Sequence, residues 1–289
     1  MSIKKRNKLI SFALVSLLSI GLFSGCTSSS ETNEQKQESK TITVIGSTSV
    51  TPVAQELAKA FEAKNENIRI DVQGVGSTAG VKAVHENVGE IGMASRNLKS
   101  GEKEWNLNEH VIAYDGIAVV AHPKNTVSDL KKDDINKIFK GEITNWKELG
   151  GEDKEIIVIS REAGSGTRGA FEELNSLLEK NENGKKVSVV KEDSLIAEGN
   201  GAVKANVASK EDSIGYISLS YLDDSVKGIK VDGVTPSSEN IMNGSYKISR
   251  PFLMLTNSEA SDEAKFYLEF ILSDEGQEIV KKKLIPVNK

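Results

Sequence analysis

Short apolar runs alternate along most of the chain with stretches whose apolar positions recur every three or four residues. The runs predict strands at 41–45, 68–72, 91–94, 111–121, 156–160, 187–190, 214–217, 229–231 and 251–256. The helical spacing predicts helices at about 50–64, 78–87, 131–139, 166–179, 194–207, 260–272 and 275–283. Strands and helices in alternation make α/β layers. No repeat of solenoid period interrupts them.

The first forty residues break the pattern. Lys4, Lys5, Arg6 and Lys8 precede an apolar run from Leu9 to Phe23, which ends in Leu22-Phe23-Ser24-Gly25-Cys26. A short basic segment, about fifteen apolar residues and a small-residue boundary predict a secretory signal over 1–25 rather than a membrane span. Cys26 is the only cysteine, so it forms no internal disulfide. Its place after Ser24-Gly25 resembles a bacterial lipobox, with Phe23 where Leu is more usual, and marks it as a lipid-attachment residue. Residues 26–40 are polar and lack aromatic or branched apolar side chains, as in a flexible tether. The expectation is an exported chain held on the outer face of the cell membrane through Cys26.

Charge then narrows the partners. The formal charge is −5, and loss of the four cations of the signal takes it to about −9. So acidic a chain does not draw in anions through its overall field, and it is a poor match for nucleic acid. Any anion selectivity must be local.

Three strand-to-helix turns carry that local chemistry. Ile156–Ser160 leads into Arg161-Glu162-Ala163-Gly164-Ser165-Gly166-Thr167-Arg168-Gly169, and Ala170, Phe171, Leu174, Leu177 and Leu178 follow at helical spacing. The first strand leads into Gly46-Ser47-Thr48-Ser49-Val50-Thr51-Pro52, where Pro52 is tolerable only in a first helical turn. The second leads into Gly74-Val75-Gly76-Ser77-Thr78-Ala79-Gly80. First-turn N–H groups lack intrahelical partners and carry the positive end of the helix dipole, and Ser and Thr add hydroxyl donors. Arg161 adds a guanidinium fork suited to a tetrahedral oxyanion. A Ser or Thr cap alone is ordinary helix chemistry. Three such turns at the carboxyl ends of strands point to one shared anion.

The turns do not match the commoner catalytic signatures. There is no G-x-x-x-x-G-K-[ST] for a nucleotide, and no G-x-S-x-G surrounds Ser165. His85, His110 and His122 fall on a helix, a strand approach and an X-Pro turn, with no second cysteine to build a metal cluster. No metal and no cofactor are expected, and the chain is not read as an enzyme. A secreted phosphoryl-transfer enzyme would need a metal cluster or a base beside an activated nucleophile.

The segments Gly46-Ser47-Thr48-Ser49-Val50, Gly74–Gly80, Ile91-Gly92-Met93-Ala94-Ser95-Arg96, Ile138–Trp146 with Phe139, Gly141, Ile143 and Asn145, and Arg161–Thr167 occur in this order. From about residue 41 to the end the chain resembles the phosphate-binding proteins of bacterial ABC importers. The resemblance implies a type II periplasmic-binding-protein fold, with two α/β lobes joined by crossing hinge strands around a ligand cleft. It places one lobe at 41–123 and 236–289 and the other at 124–235. It implies phosphate contacts from Arg161, Ser165, Gly166 and Thr167 on one lobe and from Thr48, Ser49, the Val50 amide, Ser77 and Ser95 on the other.

Arg96 departs from the pattern. The family usually places Asp there, to accept the proton of hydrogenphosphate and exclude sulfate, and an Arg cannot accept a hydrogen bond. Asp115, which interrupts an apolar strand, is the candidate replacement, with a turn role or pairing to a neighbouring Arg as the other reading. Arg96 and Asp115 complete the candidate phosphate-binding set. The function expected is a monomeric, lipid-anchored receptor that captures inorganic phosphate and delivers it to an ABC permease. Another tetrahedral oxyanion, sulfate or a phosphonate, is the alternative ligand.

Overall fold

In the computed structural model, residues 39–288 are described, all within a unit spanning Glu38–Lys289. The predicted signal, Cys26 and nearly all of the predicted tether lie outside the described residues.

The chain opens with strand β1 (Lys40–Gly46), whose Ile42 and Val44 point into a core. Helix α1 (Thr51–Glu62), β2 (Ile68–Gly74), α2 (Ser77–His85), β3 (Ile91–Ala94) and the short α3 (Ser100–Lys103) follow. The long β4 (Asn108–Ala121) then leads through β5 (Asp129–Leu130) and α4 (Lys132–Lys140) to β6 (Ile157–Arg161) and α5 (Gly166–Leu174). Next come β7 (Leu178–Lys180), β8 (Lys186–Ser188), β9 (Leu195–Ala197), α6 (Gly199–Ser209) and β10 (Ser213–Ser218). Two short strands, β11 (Lys227–Gly228) and β12 (Lys230–Val231), and α7 (Ser238–Met242) precede the return strand β13 (Ser249–Thr256). The described chain closes with α8 (Asp262–Leu272), α9 (Asp274–Val280) and β14 (Ile285–Pro286).

One sheet runs β2-β1-β3-β13-β4-β10-β6-β9, with β11 and β14 also on β4. Its two flanks are parallel, β1 with β2 and β3 on one side and β6 with β10 and β9 on the other. Its centre is antiparallel, where β4 and β13 run against each other. Parallel strands need helical crossovers on their faces, so each flank is wrapped by its own helices. The result is two α/β lobes sharing a central strand pair.

Each lobe has its own core. Ile42, Val44, Leu57, Phe61, Ile91, Phe252, Met254 and Tyr267 anchor the first. Phe139, Trp146, Val158, Phe171, Tyr216 and Tyr246 anchor the second, with Phe171 stacked on Tyr216 at a centroid distance of 3.9 Å. Both long strands pass from one core to the other. Ile112 and Ala113 of β4 pack in the first core, Ile117, Val119 and Ala121 in the second. Ile248, immediately before β13, packs in the second core and Phe252 of β13 in the first.

The helix predicted over 166–179 ends at Leu174. Asn175 Nδ2 donates to the Phe171 carbonyl at 2.8 Å, and Ser176 takes a left-handed φ of 56°, which stops the helix without a glycine. Leu178 therefore starts β7, paired with β8 in a small antiparallel hairpin. The helix predicted over 194–207 begins only at Gly199, because Leu195–Ala197 pairs as an edge strand with β6.

Candidate functional site

The three Gly/Ser/Thr turns meet between the lobes. The Thr48–Ser49 turn enters α1, Gly76 (φ 101°) opens α2 and Ser165 caps α5, accepting from the Arg168 amide at 3.1 Å. Ser49 Oγ and Thr167 Oγ1 are 2.8 Å apart across the lobes. The Thr78 amide donates to the Gly164 carbonyl at 3.2 Å. Gly166 packs so closely that an added Cβ would sit 2.1 Å from Ser77 Oγ and 2.6 Å from Ser95 Oγ. Only glycine fits there. Ser47, Ser49, Ser77, Ser95, Ser165 and Thr167 are all buried.

Two buried guanidinium groups adjoin these hydroxyls. Arg161, 1% exposed at the end of β6, directs its fork at Glu162 (2.7 and 2.8 Å). The same guanidinium donates to Thr48 Oγ1 at 3.2 Å and Asn200 Oδ1 at 3.4 Å. Its backbone amide donates to the Tyr216 hydroxyl, which also contacts Ser160 Oγ at 3.0 Å and so fixes the end of the strand. Burial pushes the Tyr216 phenol up. Burial alone would raise Glu162 as well, but the Arg161 fork outweighs it and holds that carboxyl below its ordinary value.

The second guanidinium is Arg250. It stands directly opposite Asp115 where β13 crosses β4, donating to Asp115 Oδ2 through Nη2 (2.9 Å) and Nε (3.2 Å). It also donates to the Ser95 carbonyl at 3.0 Å, Ser95 Oγ at 3.3 Å and Ser49 Oγ at 3.2 Å. Burial pushes the Asp115 carboxyl up, and the Arg250 charge and the Ser218 hydroxyl oppose it. Ser218 Oγ donates to Asp115 Oδ1 at 3.0 Å, so both carboxylate oxygens are occupied. Asp115 thus stands as the ion-pair partner of Arg250.

Thr48, Ser49, Ser77, Ser95, Arg161, Ser165, Gly166 and Thr167 are brought together. The Val50 amide belongs to the same turn and bonds within it, to the Ser47 carbonyl at 3.1 Å. Arg96 is not brought in with them. Its guanidinium grips Glu102 at 2.7 and 2.8 Å and also reaches the Asn97 carbonyl and Thr78 Oγ1. Sequence reasoning missed Arg250, Asn200, Ser47 and Tyr221, whose hydroxyl donates to the Thr48 carbonyl at 3.1 Å. The signal for Arg250 was present: a lone cation at the head of an apolar strand, matched by a lone Asp in another.

The model of the PBP superfamily domain matches residues 31–275. The phosphate-binding protein PstS of Borreliella burgdorferi is 30% identical over 272 residues, covering 92% of this chain and 94% of that protein. The chain belongs to the PstS-like phosphate-binding protein family. Another relative, PstS of Bacillus subtilis, is 31% identical over 287 residues, 96% of this chain and 92% of that one. A structure from Clostridium perfringens, described as a phosphate ABC transporter substrate-binding protein with bound phosphate, shares 48% identity. It superposes with a TM-score of 0.81, covering 86% of this chain and all of that one. These relatives are named as binding proteins, not as enzymes.

Proposed function

We propose that this chain is an extracytoplasmic receptor that captures inorganic phosphate between its lobes and delivers it to an ABC permease. The observation that carries this is the convergence of hydroxyls from both lobes, Ser49 with Thr167 at 2.8 Å, beside the buried Arg161. Helix N-termini and hydroxyls supply donors and Arg161 supplies charge, which is the chemistry a tetrahedral oxyanion needs. Thr48, Ser49, Ser77, Ser95, Ser165, Gly166, Thr167 and Arg161 are the contacts we assign, with the Val50 amide freed from its turn when ligand enters. No group here performs chemistry on the ligand. Contacts made to both lobes favour the closed form, and the permease reads that form.

The lobe boundaries are assigned inside β4 and β13, between Ala113 and Ile117 and between Ile248 and Phe252. These are the points at which the packing passes from one core to the other. They replace boundaries at residues 123/124 and 235/236. Anchoring through a lipid on Cys26 and a monomeric state belong to the same proposal. The match to named phosphate-binding relatives favours phosphate over sulfate or a phosphonate. Calorimetric titration with phosphate, sulfate and arsenate at several pH values tests the ligand. Phosphate should bind with sulfate far weaker, and absence of phosphate binding overturns the assignment. Mass spectrometry of the membrane fraction from cells expressing the wild type and Cys26→Ala tests the anchor.

A further inference from the structure

The hydrogen-bond directions around Ser49 and Ser95 can be traced from donors that cannot reverse. Asn200 Oδ1 accepts from the Ser218 amide at 3.0 Å and from Arg161 at 3.4 Å, so Asn200 Nδ2 must donate, and it does so to Ser49 Oγ at 2.9 Å. Arg250 Nη2 is a second obligatory donor to the same oxygen, at 3.2 Å. Both lone pairs of Ser49 are then taken, and its proton is left to donate, here to Thr167 Oγ1 at 2.8 Å.

Ser95 repeats the arrangement. Ser47 Oγ accepts from the Ser49 amide at 3.2 Å and the Val50 amide at 3.4 Å, so its proton goes to Ser95 Oγ at 2.8 Å. Arg250 Nη1 supplies the second bond to Ser95 Oγ at 3.3 Å. The Ser95 proton is again the group left to donate, and its neighbour Ser77 Oγ lies 3.3 Å away. Ser77 Oγ accepts from the Ser95 amide at 3.1 Å and from the Ser95 hydroxyl, so its own proton is also left to donate, beside Gly166. Arg250 takes part in both chains. It is held in place by the opposing Asp115 and by the Phe252 ring, whose centroid lies 5.4 Å from its guanidinium carbon.

We infer that Arg250 is a positioning residue for the bound anion: it turns the Ser49 and Ser95 hydroxyls into obligatory proton donors. This rests on the proposal that phosphate binds at this site. A site so polarised favours hydrogenphosphate, with three unprotonated oxygens and one O–H, over dihydrogenphosphate, with two of each. The Arg250–Asp115 pair is formally neutral, so its contribution comes from hydroxyl direction rather than from net charge.

The test replaces the pair without changing formal charge, as Arg250→Met with Asp115→Leu. Apolar replacement of a whole buried pair spares the fold the burden of one unpaired charge. Phosphate affinity is measured by calorimetry at pH values spanning the second ionisation of phosphate. The variant should bind roughly tenfold to hundredfold more weakly, with a flattened pH profile. Ser49→Ala should weaken binding clearly in the wild type and much less in the pair-replaced background. Unchanged affinity and pH profile, or an equal Ser49→Ala effect in both backgrounds, overturns the inference. Should the pair variant not fold, Arg250→Lys serves instead, because an ammonium cannot span Asp115, Ser49 and Ser95 together. Arg250→Lys with wild-type affinity and pH profile overturns the inference equally. Absence of phosphate binding by the wild-type chain overturns the ligand assignment itself, whereas intact wild-type binding with unaltered variants overturns only the role of Arg250.

Discussion

Ser49 and Thr167 are 118 positions apart in the chain, yet their hydroxyl oxygens lie 2.8 Å from each other. One belongs to the turn entering α1, the other to the first turn of α5. The contact therefore bridges the lobes at the point where the donors converge.

Thr167→Val keeps the shape of the side chain and removes the hydroxyl. The anion loses the Thr167 hydroxyl as a donor, and a hydrogen bond to a charged group contributes about 1.5–3 kcal/mol. Phosphate affinity should fall by roughly tenfold or more, while unfolding without ligand should change far less. Small-angle scattering on the wild type should show the radius of gyration falling when phosphate is added. The same curve with and without saturating phosphate would mean that the lobes do not move.

Gly166→Ala tests the close approach. The added methyl would meet Ser77 Oγ at 2.1 Å and Ser95 Oγ at 2.6 Å, both from the other lobe. Either the lobes stay apart or the serines are displaced, and overpacking of this kind costs about 1–3 kcal/mol. Phosphate affinity should drop roughly tenfold to hundredfold, with little change in thermal unfolding of the free protein. Wild-type affinity would show that Gly166 and the two serines are not held together in the bound form.

Arg161→Ala removes a charge held at 1% exposure beside Thr48 and Asn200. Losing a buried charge-assisted contact to an anion costs roughly 2–5 kcal/mol or more. Titration calorimetry should show phosphate binding weakened at least thirtyfold, on the order of the lower bound of that cost. Arg161→Lys should recover only part, since an ammonium lacks the fork. An unchanged affinity would remove Arg161 from the site.

Much of the fold was legible because buried parallel strands and amphipathic helices leave strong periodicity, as in Ile42–Val44 and Val53–Phe61. What escaped was set by tertiary contact. Leu177 is buried and keeps helical spacing with Ala170 and Leu174, yet the helix stops at Leu174 because Asn175 and Ser176 end it with side-chain and backbone geometry that leaves no glycine mark. Leu195 and Ile196 are exposed on an edge strand and read as a helix start from composition alone. In the site, the motif turns announced their hydroxyls. Asn200 did not, and Arg250 left only a lone cation at the head of an apolar strand, because the partners of each lie far along the chain.

Arg96 and Glu102 supply the last prediction. Both side chains are buried, and the guanidinium holds the carboxylate at 2.7 and 2.8 Å. Burial alone would raise Glu102, but the Arg96 fork and the Lys99 amide outweigh it and hold the carboxyl below its ordinary value. A carboxyl depressed in the folded state stabilises the fold above the unfolded value, and that stability is lost as pH falls through the folded value. Glu102→Gln leaves Arg96 buried without its counter-charge, so it should cost about 3 kcal/mol at neutral pH. The difference from wild type should shrink as pH drops below the ordinary carboxylate range and vanish once Glu102 is protonated in both states. Urea unfolding at neutral pH and at a series of lower pH values measures this, and a gap that stays constant as pH falls through and below the carboxylate range would locate the effect in packing rather than charge. Because the Arg96 guanidinium is engaged by Glu102, Asn97 and Thr78 and bonds none of the clustered serine hydroxyls, phosphate affinity at neutral pH should stay within a few-fold of wild type. A large loss of affinity in Glu102→Gln would return Arg96 to the binding site.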